Sequence, residues 1–134
     1  MIKFISDIAH YDIVLNLAAQ ARTSLWIGTA DIKDLYVMRK GTILPFLAVL
    51  SELINKGITI RLIHAKEPGR PFQKDFDSYP LLAQRLERAL CPRVHFKIII
   101  IDSTLCYLGS ANLTGAGMGI KSSLRRNFEA GILT

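Results

Sequence analysis

Four consecutive isoleucines, Ile98, Ile99, Ile100 and Ile101, follow Val94-His95-Phe96-Lys97 and run straight into Asp102. β-Branched side chains are stiff about their first torsion and pack well on a pleated surface, so a short apolar run closed by a polar residue reads as strand. Apolar residues at both parities imply cover on both faces, and residues 94–101 are therefore expected at the centre of a sheet. A hairpin partner at 105–108 follows through Ser103 and Thr104.

The remaining pattern alternates strand and helix. A short strand at 2–5 precedes Ile8, Tyr11, Leu15 and Ala18, whose spacing predicts a helix over 7–21. Residues 23–30 (TSLWIGTA) are β-rich and lead into a polar loop at 31–34. Pro45 opens a helix whose stripe of Phe46, Val49, Leu50, Leu53 and Ile54 stops at Gly57, and 58–65 (ITIRLIHA) is again strand. Residues 66–74 (KEPGRPFQK) read as an exposed loop, 81–90 as a short basic helix, and 127–133 as a closing strand after a glycine- and serine-rich stretch. Strands interleaved with helices, plus one antiparallel hairpin, predict a layered α/β fold with a mixed, largely buried sheet. At 134 residues, half of them apolar, the chain is expected to form one domain over 1–134, either whole or the front of a longer protein.

Side chains alternate across a strand, so His95 and Lys97 share a face and Asp102 projects from the other. An imidazole beside an ammonium suits a phosphate. The returning strand delivers Ser110 and Asn112, two neutral hydrogen-bond donors, near the same sheet edge. Asn127 and Glu129 share a face of the last strand, and a carboxylate at 129 can bind the far ring nitrogen of His95, fixing its tautomer and leaving the other nitrogen to attack.

The series His95-x-Lys97, four isoleucines, Asp102, six further residues, then Gly109-Ser110-x-Asn112 resembles the HxKxxxxD motif with trailing GSxN of the phospholipase D superfamily. Arg126-Asn127-Phe128-Glu129 resembles the Asn and acidic positions that follow it. The resemblance implies the superfamily's layered α-β-α fold and a site in which two motifs meet. One histidine attacks phosphorus to give a phosphohistidine, the other protonates the leaving oxygen, and water or an alcohol resolves the intermediate. That chemistry requires no metal and no cofactor. By the same resemblance His95, Lys97, Asn112 and Glu129 are catalytic, Ser110 and Asn127 bind substrate, and Asp102 and Gly109 are structural parts of the motif. Only one motif is complete. His64 is followed by Lys66, but Pro71 stands where Asp should, so that pair is a chance match and His64 is expected to be structural. A homodimer would supply the second histidine through an isologous interface, as in small bacterial endonucleases of the superfamily.

Seventeen Lys and Arg against eleven Asp and Glu give a formal charge of +6, which favours polyanions. Lys121, Arg125 and Arg126 lie just beyond the motif, and Lys66, Arg70 and Lys74 lie in the proline-rich segment, where both groups can grip phosphates of DNA or RNA. A nuclease is the leading expectation. A phospholipid hydrolase or phosphatidyltransferase is the runner-up, because the same chemistry opens any phosphodiester, and a non-catalytic nucleic-acid-binding module is the third. No apolar run reaches the roughly 18 residues of a membrane span. No metal-ligand spacing surrounds Cys91 and Cys106, so reduced, buried thiols and a cytoplasmic location are expected.

Overall fold

The computed structural model describes residues 1–119 and 124–134. In chain order its elements begin with β1 (Lys3–Ser6) and α1, a π-helical stretch (His10–Leu15) that runs on into an α-helical turn (Asn16–Ala18). They continue with β2 (Ser24–Thr29), β3 (Tyr36–Arg39), β4 (Thr42–Pro45), α2 (Phe46–Asn55) and β5 (Thr59–His64). The second half holds α3 (Arg70–Asp77), α4 (Pro80–Arg85), β6 (Glu87–Leu90), β7 (Ile98–Ile101), β8 (Leu105–Gly109) and β9 (Ala130–Leu133).

Seven strands form one sheet in the order β1-β9-β8-β7-β2-β5-β6. The isoleucine strand β7 lies at its centre, antiparallel to both β2 and β8, while β2, β5 and β6 run parallel. The sheet is mixed, as the alternating pattern predicted. The crossover from β2 to β5 carries α2, which buries Phe46, Leu47, Val49, Leu50, Leu53 and Ile54. Gly57, at φ +91°, ends it: the Gly57 N–H binds the Ile54 carbonyl at 2.9 Å and the Ile58 N–H binds that of Leu53 at 3.1 Å. These two bonds cap carbonyls that a helix end leaves unpaired, and the left-handed turn they need suits glycine.

Helices and sheet share one core. Leu25, Ile27, Ile60, Leu62, Ile99, Ile101 and Tyr107 pack with Val14, Leu50, Phe72 and Leu82. On the opposite parity Phe4, Trp26, Phe96, Leu108 and Ile132 are exposed, and Ile98 and Ile100 are half-buried. Cover of the isoleucines on both faces is thus only partial among the described residues. On the open face the Phe96 ring lies over Gly28 and the Arg61 guanidinium stands 5.1 Å from the Trp26 ring.

Several stretches depart from the sequence expectation. The closing strand, expected over 127–133, begins only at Ala130, so Asn127 and Glu129 lie ahead of it and do not share a strand face. The segment read as a loop at 66–74 becomes helical from Arg70, because Pro71 fits a first helical turn and Phe72 and Phe76, four apart, bury one face. The expected helix at 81–90 stops at Arg85; Leu86 turns extended and β6 pairs in parallel with β5 at the sheet edge. Tertiary pairing overrides a weak local preference there. The hairpin of β3 and β4 was not foreseen. Its turn, Lys40 and Gly41 at φ +52° and +79°, is the left-handed pair that closes two-residue hairpins, with lysine where asparagine usually signals it. Cys91 and Cys106 are free and half-buried rather than buried.

Candidate active site

β7 is shorter than the expected strand. Residues 94–97 leave the regular ladder as an extended arm, tied to β8 by the Gly109 N–H, which donates to the Lys97 carbonyl at 3.2 Å. This bond sets the arm bearing His95 and Lys97 beside the loop bearing Ser110 and Asn112. Lys97 is half-buried, and its Nζ donates to the His95 carbonyl at 2.9 Å. The His95 ring is exposed, whereas His10 and His64 are both completely buried.

The far side of the site is β9. The Ser110 hydroxyl accepts the Ala130 N–H at 3.0 Å, and the Ser110 N–H donates to the Ala130 carbonyl at 3.0 Å. Residue 129 is held from the N-terminal turn, since the Asp7 N–H donates to the Glu129 carbonyl at 3.1 Å. Burial raises the Glu129 carboxyl above its usual range, and the Ser110 hydroxyl and Lys97 ammonium beside it oppose that rise. Glu129 therefore gathers with Lys97 and Ser110. Among the described residues no hydrogen bond joins it to His95.

Asn112 is half-buried, and its Oδ1 accepts the Asp31 N–H at 3.1 Å. Behind the loop the Tyr107 hydroxyl accepts the Ala111 N–H at 3.3 Å and donates to His10 Nε2 at 2.8 Å. His10 Nδ1–H in turn donates to the Asp7 carbonyl at 2.8 Å. A carbonyl can only accept, which fixes the tautomer: Nδ1 carries the proton and Nε2 accepts. Burial lowers the His10 pKa, against the pull of the Asp7 carbonyl, and raises that of Tyr107 to about 12, so both are neutral. The Tyr107 hydroxyl and the backbone of Ala130 and Gly131 fill the space where a β-carbon would stand on Gly109, and the Tyr107 ring fills that on Gly131, which accounts for glycine at both positions.

Asp102 sits at the opposite end of β7, at φ +54°. Its carboxylate accepts the N–H groups of Arg22 at 2.9 Å, Thr23 at 2.8 Å and Ser24 at 3.2 Å, together with the Thr23 hydroxyl at 3.1 Å. Burial opposes ionisation, yet these donors outweigh it and hold the carboxyl below its usual range. The residue pins the start of β2 to the end of β7. His64 is likewise internal: its Nδ1 faces the Lys66 carbonyl at 2.9 Å and its Nε2 accepts from Arg88 at 2.8 Å.

Asn127 and Arg125 are exposed and Arg126 is half-buried, near the GSxN loop in sequence. Lys121 lies outside the described residues. Arg70 and Lys74 project from α3, where Lys74 shares a surface hollow with Asp34, Tyr36 and Asp75. The carboxyls of Asp34 and Asp75 lie together there. Burial first, and then Asp75, push Asp34 up to about 7, while Asp75 is lowered by Asp34 and by the Tyr36 hydroxyl, which donates to it at 2.7 Å. Of the two, Asp34 holds its proton the more tightly and Asp75 is the more acidic.

A carboxyl that binds its proton more tightly when folded makes stability fall as pH rises from about 4 through about 7, since the folded state then holds more protons than the unfolded one. Asp34→Asn keeps a donor facing Asp75 without a titrating proton. Its melting temperature is expected to gain on the wild type across that window and to run parallel to it below pH 4. Parallel curves from pH 4 to 8 would show that the fold does not tighten the hold of Asp34 on its proton.

The sequence matches the family described as cardiolipin synthase, PLD-like domain, over residues 14–134. None of the curated proteins matches it by sequence. Among solved structures it is similar to Nuc of Salmonella typhimurium, a phospholipase D family member, with a TM-score of 0.68 at 16% identity over 99% of this chain and 81% of that one. The archaeal chromatin protein TrmBL2, whose structure shows a novel mode of DNA binding, superposes with a TM-score of 0.63 at 10% identity over 98% of this chain and 44% of that one. Phosphatidylserine synthase of Haemophilus influenzae Rd KW20 gives a TM-score of 0.63 at 13% identity over 98% of this chain and 34% of that one.

Proposed function

Because the chain belongs to the phospholipase D-like family of phosphodiesterases, we propose that it cuts nucleic-acid phosphodiester bonds as a homodimer, through a phosphohistidine on His95 and without a metal ion. The observation that supports this reading is that Lys97, Ser110 and Glu129 lie together beside an arm whose histidine is the exposed one of three, with Asn112 on the loop that continues from Ser110. In it, residues 1–134 act as one catalytic domain. His95 attacks phosphorus, Lys97 and the Asn112 amide take up charge on the non-bridging oxygens, and His95 of the second copy protonates the leaving oxygen. Glu129 orients the histidine once substrate closes the site, and Ser110 and Asn127 line the phosphate.

The nucleic-acid assignment rests on charge. A net +6 and the basic residues Lys121, Arg125 and Arg126 next to the motif favour a polyanion. A lipid phosphodiester is the second reading, favoured by the description of the matching family as cardiolipin synthase and by the likeness to phosphatidylserine synthase. Among the described residues no helix is long and apolar enough to cross a membrane.

Incubation of labelled single- and double-stranded DNA and RNA, and of phosphatidylglycerol and phosphatidylcholine vesicles, in excess chelator separates these readings. Cleavage of nucleic acid is expected to persist, because histidine supplies the nucleophile and no metal-bound hydroxide is required. Binding should weaken steeply with salt, each phosphate contact adding about −0.9 to the slope of log affinity against log salt on duplex DNA. Arg125→Ala with Arg126→Ala should flatten that slope for all sequences alike. Turnover of vesicles alone transfers the assignment to lipid, and DNA binding without cleavage leaves a binding module.

A further inference from the structure

Thr29 ends β2 and is 1% exposed. Its hydroxyl meets three groups on the two loops that meet at Asn112. Oγ1 donates to the Asp31 carbonyl at 2.6 Å, accepts the Leu113 N–H at 2.9 Å, and lies 3.4 Å from Asn112 Oδ1. The two loops are joined again just beyond, where the Lys33 N–H donates to the Leu113 carbonyl at 3.1 Å and Ile32 bridges Leu113.

A hydroxyl has one proton to give and lone pairs to receive with. The Asp31 carbonyl can only accept, so the short 2.6 Å contact takes the Thr29 proton, and Leu113 fills a lone pair. The first bond closes the turn from 29 to 31 and aims the Asp31 N–H at Asn112. The second draws in the backbone that follows Asn112. Because a backbone N–H can only donate, the amide oxygen must face Asp31, and the NH2 group is the end turned away from it. Oxygen and nitrogen of an amide are alike in shape, and only such a donor distinguishes the two orientations.

We propose that Thr29 is a positioning residue: its hydroxyl locks the Asn112 side chain with the donor end presented to the phosphoryl oxygens. This rests on the reading of Asn112 as a phosphate contact. A strand-end threonine that merely packs would lose nothing on exchange for valine, which has the same shape.

The test compares Thr29→Val and Thr29→Ser in the full chain. Turnover of a labelled oligonucleotide should fall roughly 10-fold or more in kcat for Thr29→Val with KM nearly unchanged, the scale on which misplaced contacts act, and Thr29→Ser should restore it. An independent readout is the scalar coupling across the hydrogen bond between the labelled backbone nitrogen of Asp31 and the side-chain carbonyl carbon of Asn112. It is expected in the wild type and in Thr29→Ser and lost in Thr29→Val. Wild-type kcat in a folded Thr29→Val overturns the proposal. So does absence of the coupling in the wild type, a result that stands even if the valine variant fails to fold. A wild type that shows the coupling but cuts no phosphodiester supports the lock and sinks the catalytic reading instead.

Discussion

His95→Ala is expected to lower phosphodiester turnover by roughly 10⁴-fold or more, the scale of deleting a nucleophile that acts within a concerted unit. Folding and nucleic-acid binding should be nearly unchanged. The ring is exposed and its loss opens no cavity, and the contact between Lys97 and residue 95 goes to the backbone carbonyl, which alanine retains. The same variant tests the dimer. If each site needs one His95 as nucleophile and the partner's as acid, a randomly mixed dimer is active only when both copies are wild type. Activity should then fall as the square of the wild-type fraction after mixing and refolding. A linear fall would mean that each chain works alone, and wild-type cleavage by the variant would remove His95 from the mechanism altogether.

The motif was legible in the sequence because a hairpin turns its spacing into geometry. With β7 and β8 paired, the residue count between Lys97 and Gly109 brings the two backbones together, as their 3.2 Å hydrogen bond records. The helix from Phe46 was equally legible, since Pro45 and Gly57 mark its ends and the apolar stripe lies between them. β6 was not. Four residues, ERAL, carry no period of their own, and only the free edge of β5 makes them a strand. The supports of the site were hidden for a similar reason. Thr29 is 83 residues from Asn112 and His10 is 97 from Tyr107, so no local pattern announces either contact. The isoleucine run promised cover on both faces, but apolar side chains at both parities say only that a strand tolerates burial; what lies against each face is decided elsewhere in the chain.

Lys97→Ala and Asn112→Ala are each expected to reduce kcat by roughly 10²-fold to 10³-fold, the usual scale for removing one preorganised donor from a developing charge. Their effects should fall on kcat rather than KM, because charge on the non-bridging oxygens changes most between ground state and transition state. The two should differ in how they can be repaired. Lys97 offers a point charge on a flexible stem whose Nζ reaches back to the His95 carbonyl, so arginine, with a planar fork in place of a compact ammonium, should restore little. Asn112 is held through its oxygen, so Asn112→Asp presents an acceptor where Asp31 N–H is still satisfied but turns a second oxygen toward the phosphate. That places negative charge against negative charge, and the aspartate should be at least as slow as the alanine even though its shape is the native one. An aspartate variant with higher kcat than the alanine variant would mean that residue 112 does not face the phosphoryl oxygens as a donor. A rise in KM with kcat unchanged, for either alanine variant, would mean uniform binding of substrate and no part in stabilising the transition state.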